Sequence, residues 1–319
     1  MSTAHADECW INHTPQVHEW VCAGKSLPED SQAFALSILV VESPRALMVV
    51  DSGATAVVGE QAALAIQNRF GNRPLWILNT QPKPEHVLGN VGFRKVLQKN
   101  LPVGESFSNR IVAGKQTAEL MQARCPKCIE NFSERMGSAS VAGTEPVVPS
   151  RLLKSESGNL GVLQSEFRSW KYRLYKNLET EETLVLRNPD LKIWWVGSAV
   201  QKTGIPDLYE GSVIQRIEFL SRLKSQMKTD DTVLTSSGVA QVDMIQRNLD
   251  YFVKVQQEVL YGLENGVSEV ELIQQISQGI NQFQAGEGMT QDLKMDAKVL
   301  ETHQLNIQRI FRQTEPFAF

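Results

Sequence analysis

The sequence lacks most of the features that assign a protein quickly. No apolar run is long enough to span a bilayer, so no membrane helix is expected. There is no excess of basic residues. The 32 Lys and Arg stand against 36 Asp and Glu, for a formal net charge of -4. That balance gives no global reason to bind nucleic acid or an anionic membrane. The opening MSTAHADECW has no basic segment followed by an apolar one, so no signal peptide is expected. Cytoplasmic placement is the expectation as written, and a periplasmic one if a leader has been removed. Cysteine is scarce, with four in 319 residues, too few for a disulfide scaffold. Cys9 and Cys22 lie near the start. Cys125 and Cys128 form CPKC, a spacing open to a redox dithiol, a disulfide or half of a zinc site. Nothing near them supplies the two further ligands of a structural zinc, so they read as inert or disulfide-bonded.

What is present is an alternation of strand-like and helix-like segments. AFALSILVVES and RALMVVD read as strands either side of a Ser-Pro turn, and DSGAT breaks the pattern. GEQAALAIQNRFGN reads as a helix, LWILN as a strand, VGFRKVLQKN as a helix and RIVAG as a short strand. The stretch from Lys115 to Gly137 is helical in period, with a break or kink expected near Pro126. From about Glu145, EPVVPSRLL, LGVLQSEFRSWKYRLYKNL, ETLVLRN and LKIWWVGSAV read as strands, with a hairpin turn at NPD. Helices, the strand TVLTSS, and a capping box at Ser268 to Glu271 follow. Two mixed halves ending in helices imply two packed sheets with helices outside. The domain expectation is residues 1–285 as one body and 286–319 as a helical extension.

The order apolar strand, Asp51-Ser52-Gly53, helix, apolar strand, then TQPKPEHVLGN resembles the metallo-β-lactamase superfamily. TLVLRNPDLKIWWVGSAV and DTVLTSSGV resemble later strands of that fold, and the residues from about Leu249 to Ile276 its C-terminal helices. CPKC and AGTEPVVPSRLL are most similar to the zinc metallohydrolase-like proteins linked to quinoprotein systems. The resemblance implies an αββα four-layer sandwich (α/β, of the α+β kind). It also implies two zinc ions that share a hydroxide.

Carried over position by position, the resemblance places few metal ligands here. Gln81 and Lys83 stand for the first two loop histidines, Glu85 for the loop aspartate, and His86 for the last loop histidine. A later histidine position falls on or near Glu179, the bridging aspartate on Ser198 and the final histidine on Ser237. A protonated lysine has no lone pair to give a metal. No metal and no cofactor are therefore expected; one metal, if held, would use Glu85, His86 and Glu179. Lys83 is expected to replace part of the lost positive charge by pairing with Glu85, Glu179 or both. The alternative, a Lys83 in solvent on an ordinary polar turn, stays open.

Other residues have plainer readings. Asp51 is expected to tie the DSG turn, with Gly53 structural beside it. His13 and His18 read as surface residues and His303 as solvated. Of Trp194 and Trp195, one is expected to face the core. A serine nucleophile at Ser198, Ser236 or Ser237 has no GxSxG elbow behind it. The functional expectation is a non-catalytic binding or accessory protein with an unidentified small-molecule or protein partner. A hydrolase with a mononuclear or metal-free site is the alternative, and thiol redox work at Cys125 and Cys128 a third.

Overall fold

Strands β1 (Trp10–Thr14) to β4 (Leu47–Val50), through β2 (Val17–Trp20) and β3 (Ile38–Glu42), pair antiparallel in chain order. β5 (Leu75–Leu78), β6 (Ile111–Ala113) and β7 (Arg151–Leu152) then add in parallel. Parallel neighbours need crossovers. Helix α1 (Ala56–Phe70) joins β4 to β5, the short α2 (Pro84–Val87) and α3 (Asn90–Leu97) lie between β5 and β6, and α4 (Lys115–Met136) leads to β7. The parallel register brings the ends of β4 and β5 together, with Val50 opposite Leu78. Asp51 and Thr80 thus emerge side by side.

The computed structural model describes residues 9–22, 36–202, 204–278 and 297–317. The chain divides into two compact units, Met1–Tyr175 with Glu182–Trp195, and Lys176–Glu181 with Val196–Phe319. The first unit holds the seven-stranded sheet and also β8 (Ser157–Asn159), β9 (Lys171–Lys176), β10 (Glu182–Asn188) and β11 (Ile193–Trp195), hydrogen-bonded in the order β11-β10-β9-β8. One core cluster joins sheet residues Val40, Val49 and Ile77 to Ala62, Ile66 and Phe93 of the covering helices. Both Trp194 and Trp195 are buried, and the Arg187 guanidinium lies 4.4 Å from the Trp194 ring centre.

The second unit holds α5 (Val213–Gln226), the hairpin of β12 (Thr232–Thr235) and β13 (Gly238–Ala240), α6 (Val242–Glu264), α7 (Glu269–Gln278) and α8 (Ala297–Thr314). The capping box is formed: Glu271 accepts the Ser268 amide at 3.1 Å while the Ser268 hydroxyl accepts the Glu271 amide at 3.4 Å. Residues 279–296, which include the expected boundary between 285 and 286, lie outside the described residues.

Several local expectations are corrected. Helix α4 runs through Pro126 without a break, although proline removes one ladder bond. Buried Met121 and Cys125 hold that turn against Val87 and Leu88. Of the segment from Leu160 to Leu178, only Lys171–Lys176 is strand; Leu160–Val162 and Ser165–Phe167 are 3-10 turns. The Asn159 side chain starts the first by accepting the Gly161 amide at 3.0 Å. Cys9 and Cys22 are disulfide-bonded across the β1–β2 hairpin, while Cys125 and Cys128 are not bonded to each other. His13 and His18 are not surface residues: His13 Nε2 lies 2.9 Å from Glu19, and His18 bridges Asn12 at 2.7 Å and Glu42 at 3.2 Å. His303 is fully buried, with Nδ1 2.9 Å from the Tyr251 hydroxyl, because the polar-looking α8 packs on α6.

Candidate functional site

Asp51 sits in the left-handed region at φ +62°, which turns its carboxylate across the end of β5. Oδ1 accepts the Thr80 amide at 2.8 Å, and the Thr80 hydroxyl lies 3.0 and 2.8 Å from the two carboxylate oxygens. Oδ2 lies 2.7 Å from His86 Nδ1. A carboxylate only accepts, so Nδ1 carries the proton and Nε2 is left as the acceptor. Nε2 is buried and has no hydrogen-bond partner among the described residues.

The loop is built to hold His86 there. Pro84 starts a single helical turn, and the His86 amide donates to the Lys83 carbonyl at 2.9 Å. The His86 carbonyl accepts the Ser52 amide at 2.8 Å and the Ser52 hydroxyl at 3.2 Å. Asn79 and Asn90 bond to each other, and Asn90 also donates to the Val147 carbonyl at 3.1 Å. Gly89 then passes so close to the DSG turn that a Cβ would lie 1.9 Å from the Ser52 carbonyl oxygen. The VLGN ending is thus a packing requirement.

Charge around the imidazole is divided. Burial opposes protonation of His86, but the adjoining Asp51 carboxylate outweighs it and raises the pKa above its ordinary value. Glu85 raises it further and the Lys83 ammonium lowers it. Lys83 is only 6% exposed, so the reading of a solvent-pointing side chain is set aside. Gln81 is fully buried and Glu85 half-buried. The first unit therefore gathers Asp51, Gly53, Gln81, Lys83, Glu85 and His86 in one loop system.

Glu179, Ser198 and Ser237 belong to the second unit. Glu179 is buried, with the Arg216 guanidinium 3.7 Å away. Arg216, itself fully buried, also donates to the carbonyls of Leu178 and Ala199 at 3.1 Å and of Asp207 at 3.3 Å. Sequence reasoning missed Arg216. Its signal was there: it shares a helical stripe with Val213, Leu220 and Leu223, where an apolar residue is the rule. Ser198 lies in the 3-10 turn Gly197–Ala199. Ser237 is exposed at the β12–β13 turn, its hydroxyl 3.1 Å from that of Thr235. Thr80 was also missed; only the Asp51 geometry reveals its role.

Solved structures share the fold. The DIM-1 metallo-β-lactamase exposed to ceftazidime is 14% identical over 77% of this chain and 96% of its own, with a TM-score of 0.54. VMB-1 is 13% identical over 77% and 96%, with a TM-score of 0.55. A metallo-β-lactamase from Pontibacter korlensis is 14% identical over 76% and 98%, with a TM-score of 0.53. The chain has the metallo-β-lactamase fold. That fold is the αββα sandwich expected above. No family model matches the sequence, and no curated protein does.

The zinc pair implied by the metallo-β-lactamase resemblance does not fit this donor set. At the loop positions it assigns to imidazoles, Gln81 offers an amide and Lys83 a cation. Among the described residues, no group of three or more His, Cys, Asp or Glu side chains is placed to hold a metal ion. No helix of the described residues is long and apolar enough to cross a membrane.

Proposed function

We propose that this chain is a metallo-β-lactamase-fold protein whose metal centre has been replaced by a buried, hydrogen-bonded loop, and that it works as a binding or accessory protein. The observation that carries this reading is the burial of Gln81 and Lys83 in the loop of His86, at positions where the resemblance calls for imidazole ligands. An ammonium within reach of the single imidazole repels a divalent cation rather than helping to hold it. Kinship with the quinoprotein-associated proteins rests on CPKC and AGTEPVVPSRLL alone. The Cys9–Cys22 bridge supports an exported protein over a cytoplasmic one, since such bonds persist in oxidising compartments.

A second reading has one observation in its favour. Asp51 orients His86 as an orienting acid orients a general base, with Nε2 unengaged. A metal-free hydrolase would use that nitrogen to activate water. Assays with ester, thioester and β-lactam substrates on wild type and His86→Ala separate the two. The binding reading expects background rates in both proteins. Turnover that disappears in His86→Ala would establish the hydrolase instead.

A further inference from the structure

We infer that Cys125 and Cys128 are a reversible dithiol–disulfide pair whose closure loosens the loop that carries His86. Three observations lead there. The two cysteines are three residues apart on one continuous helix, α4, and so share a face. Helix geometry sets their Cα atoms about 5 Å apart, inside the range a disulfide spans. Pro126 between them has already removed a ladder hydrogen bond, so this turn can tighten at lower cost than an intact one.

The second observation is what Cys125 touches. It is fully buried against Val87, Leu88 and Met121. Val87 and Leu88 directly follow His86, and α2 holds His86 through the Lys83 carbonyl. Drawing the Cys125 sulfur toward Cys128 takes it out of that cluster, and the packing under the loop is lost with it.

The third is access. Cys128 is half-buried and open to a reagent, whereas Cys125 is sealed. The chemistry divides accordingly. The Cys128 thiolate attacks a low-molecular-weight disulfide, breaks its S–S bond and releases one thiolate. Cys125 then loses its proton to solvent and attacks the Cys128 sulfur, expelling the second thiolate. Two electrons pass to the reagent, which leaves as two thiols once protonated. Burial, with the Cys128 sulfur nearby, pushes the Cys125 thiol up to about 12. The second step is therefore slow at neutral pH and quickens as pH rises.

The test uses the full chain and glutathione disulfide at mildly alkaline pH, with Cys128→Ser as the control. Oxidation is expected to remove both thiols, to lower the intact mass by two hydrogens and to give a peptide linked Cys125–Cys128. Amide exchange across residues 83–88 is expected to rise about tenfold, while Cys128→Ser shows neither change. Thiols that persist, a mixed disulfide that stays on Cys128, or a closed bond with unchanged exchange at 83–88 would each overturn the inference. None of these readouts depends on whether a metal binds, so the proposed function stands or falls separately.

Discussion

Asp51 Oδ2 holds His86 Nδ1 at 2.7 Å, and neither side chain is more than 4% exposed. The bond needs the positive φ of Asp51, the parallel register of β4 with β5, and the turn at Pro84. It is a device for aiming a histidine, the one imidazole of the loop from Thr80 to Asn90.

That pair fixes a pH dependence. His86 is raised above its ordinary value when folded. Its contribution is therefore present in full below the unfolded value of about 6.5 and is lost as pH rises through the folded value. In Asp51→Asn the carboxylate is gone and burial alone acts on the ring. The His86 titration followed by NMR is expected to move to lower pH, below that of wild type. An unchanged titration would show that Asp51 does not control the ring.

His303 works in the opposite direction. Burial pushes it down to about 4 from an ordinary value of 6.5. Between those values the unfolded chain takes up a proton that the folded chain refuses, so stability falls as pH drops from about 6.5 to 4. The loss is up to ~3 kcal/mol. Urea midpoints measured across that window are expected to fall more steeply for wild type than for His303→Gln. Equal slopes would place His303 in solvent after all.

Arg216 and Glu179 are expected to depend on each other. Removing one partner of a buried pair leaves the other charge uncompensated, at a cost of about 3–5 kcal/mol. Arg216→Met alone is therefore expected to be strongly destabilising, the more so because three backbone carbonyls lose their donor. Adding Glu179→Gln is expected to recover part of the loss. Denaturation of the two single variants and the double one checks this, and strict additivity would deny the coupling.

Much of the fold was legible because it was written in local pattern. The apolar runs at Ile38–Glu42 and Leu75–Leu78, the DSG break and the Ser268 capping box each name their element without tertiary help. The loop residues of the site were legible for the same reason: Gln81, Lys83, Glu85 and His86 are near neighbours in sequence. What escaped depends on partners far along the chain. His303 lies 52 residues from Tyr251, and nothing in a polar helix announces that it will be buried. Arg216 meets Leu178 from 38 residues away. The continuity of α4 through Pro126 likewise depends on packing against Val87 and Leu88, which local propensity does not contain.

The central claim is that a buried loop stands where the fold's metal centre would be. The most direct measurement is zinc content of the purified chain after zinc loading and exhaustive dialysis, read by elemental analysis. Far less than one equivalent per chain is expected, with no gain in thermal stability on adding zinc. About two tightly held equivalents per chain, the complement of a binuclear site, would contradict the account.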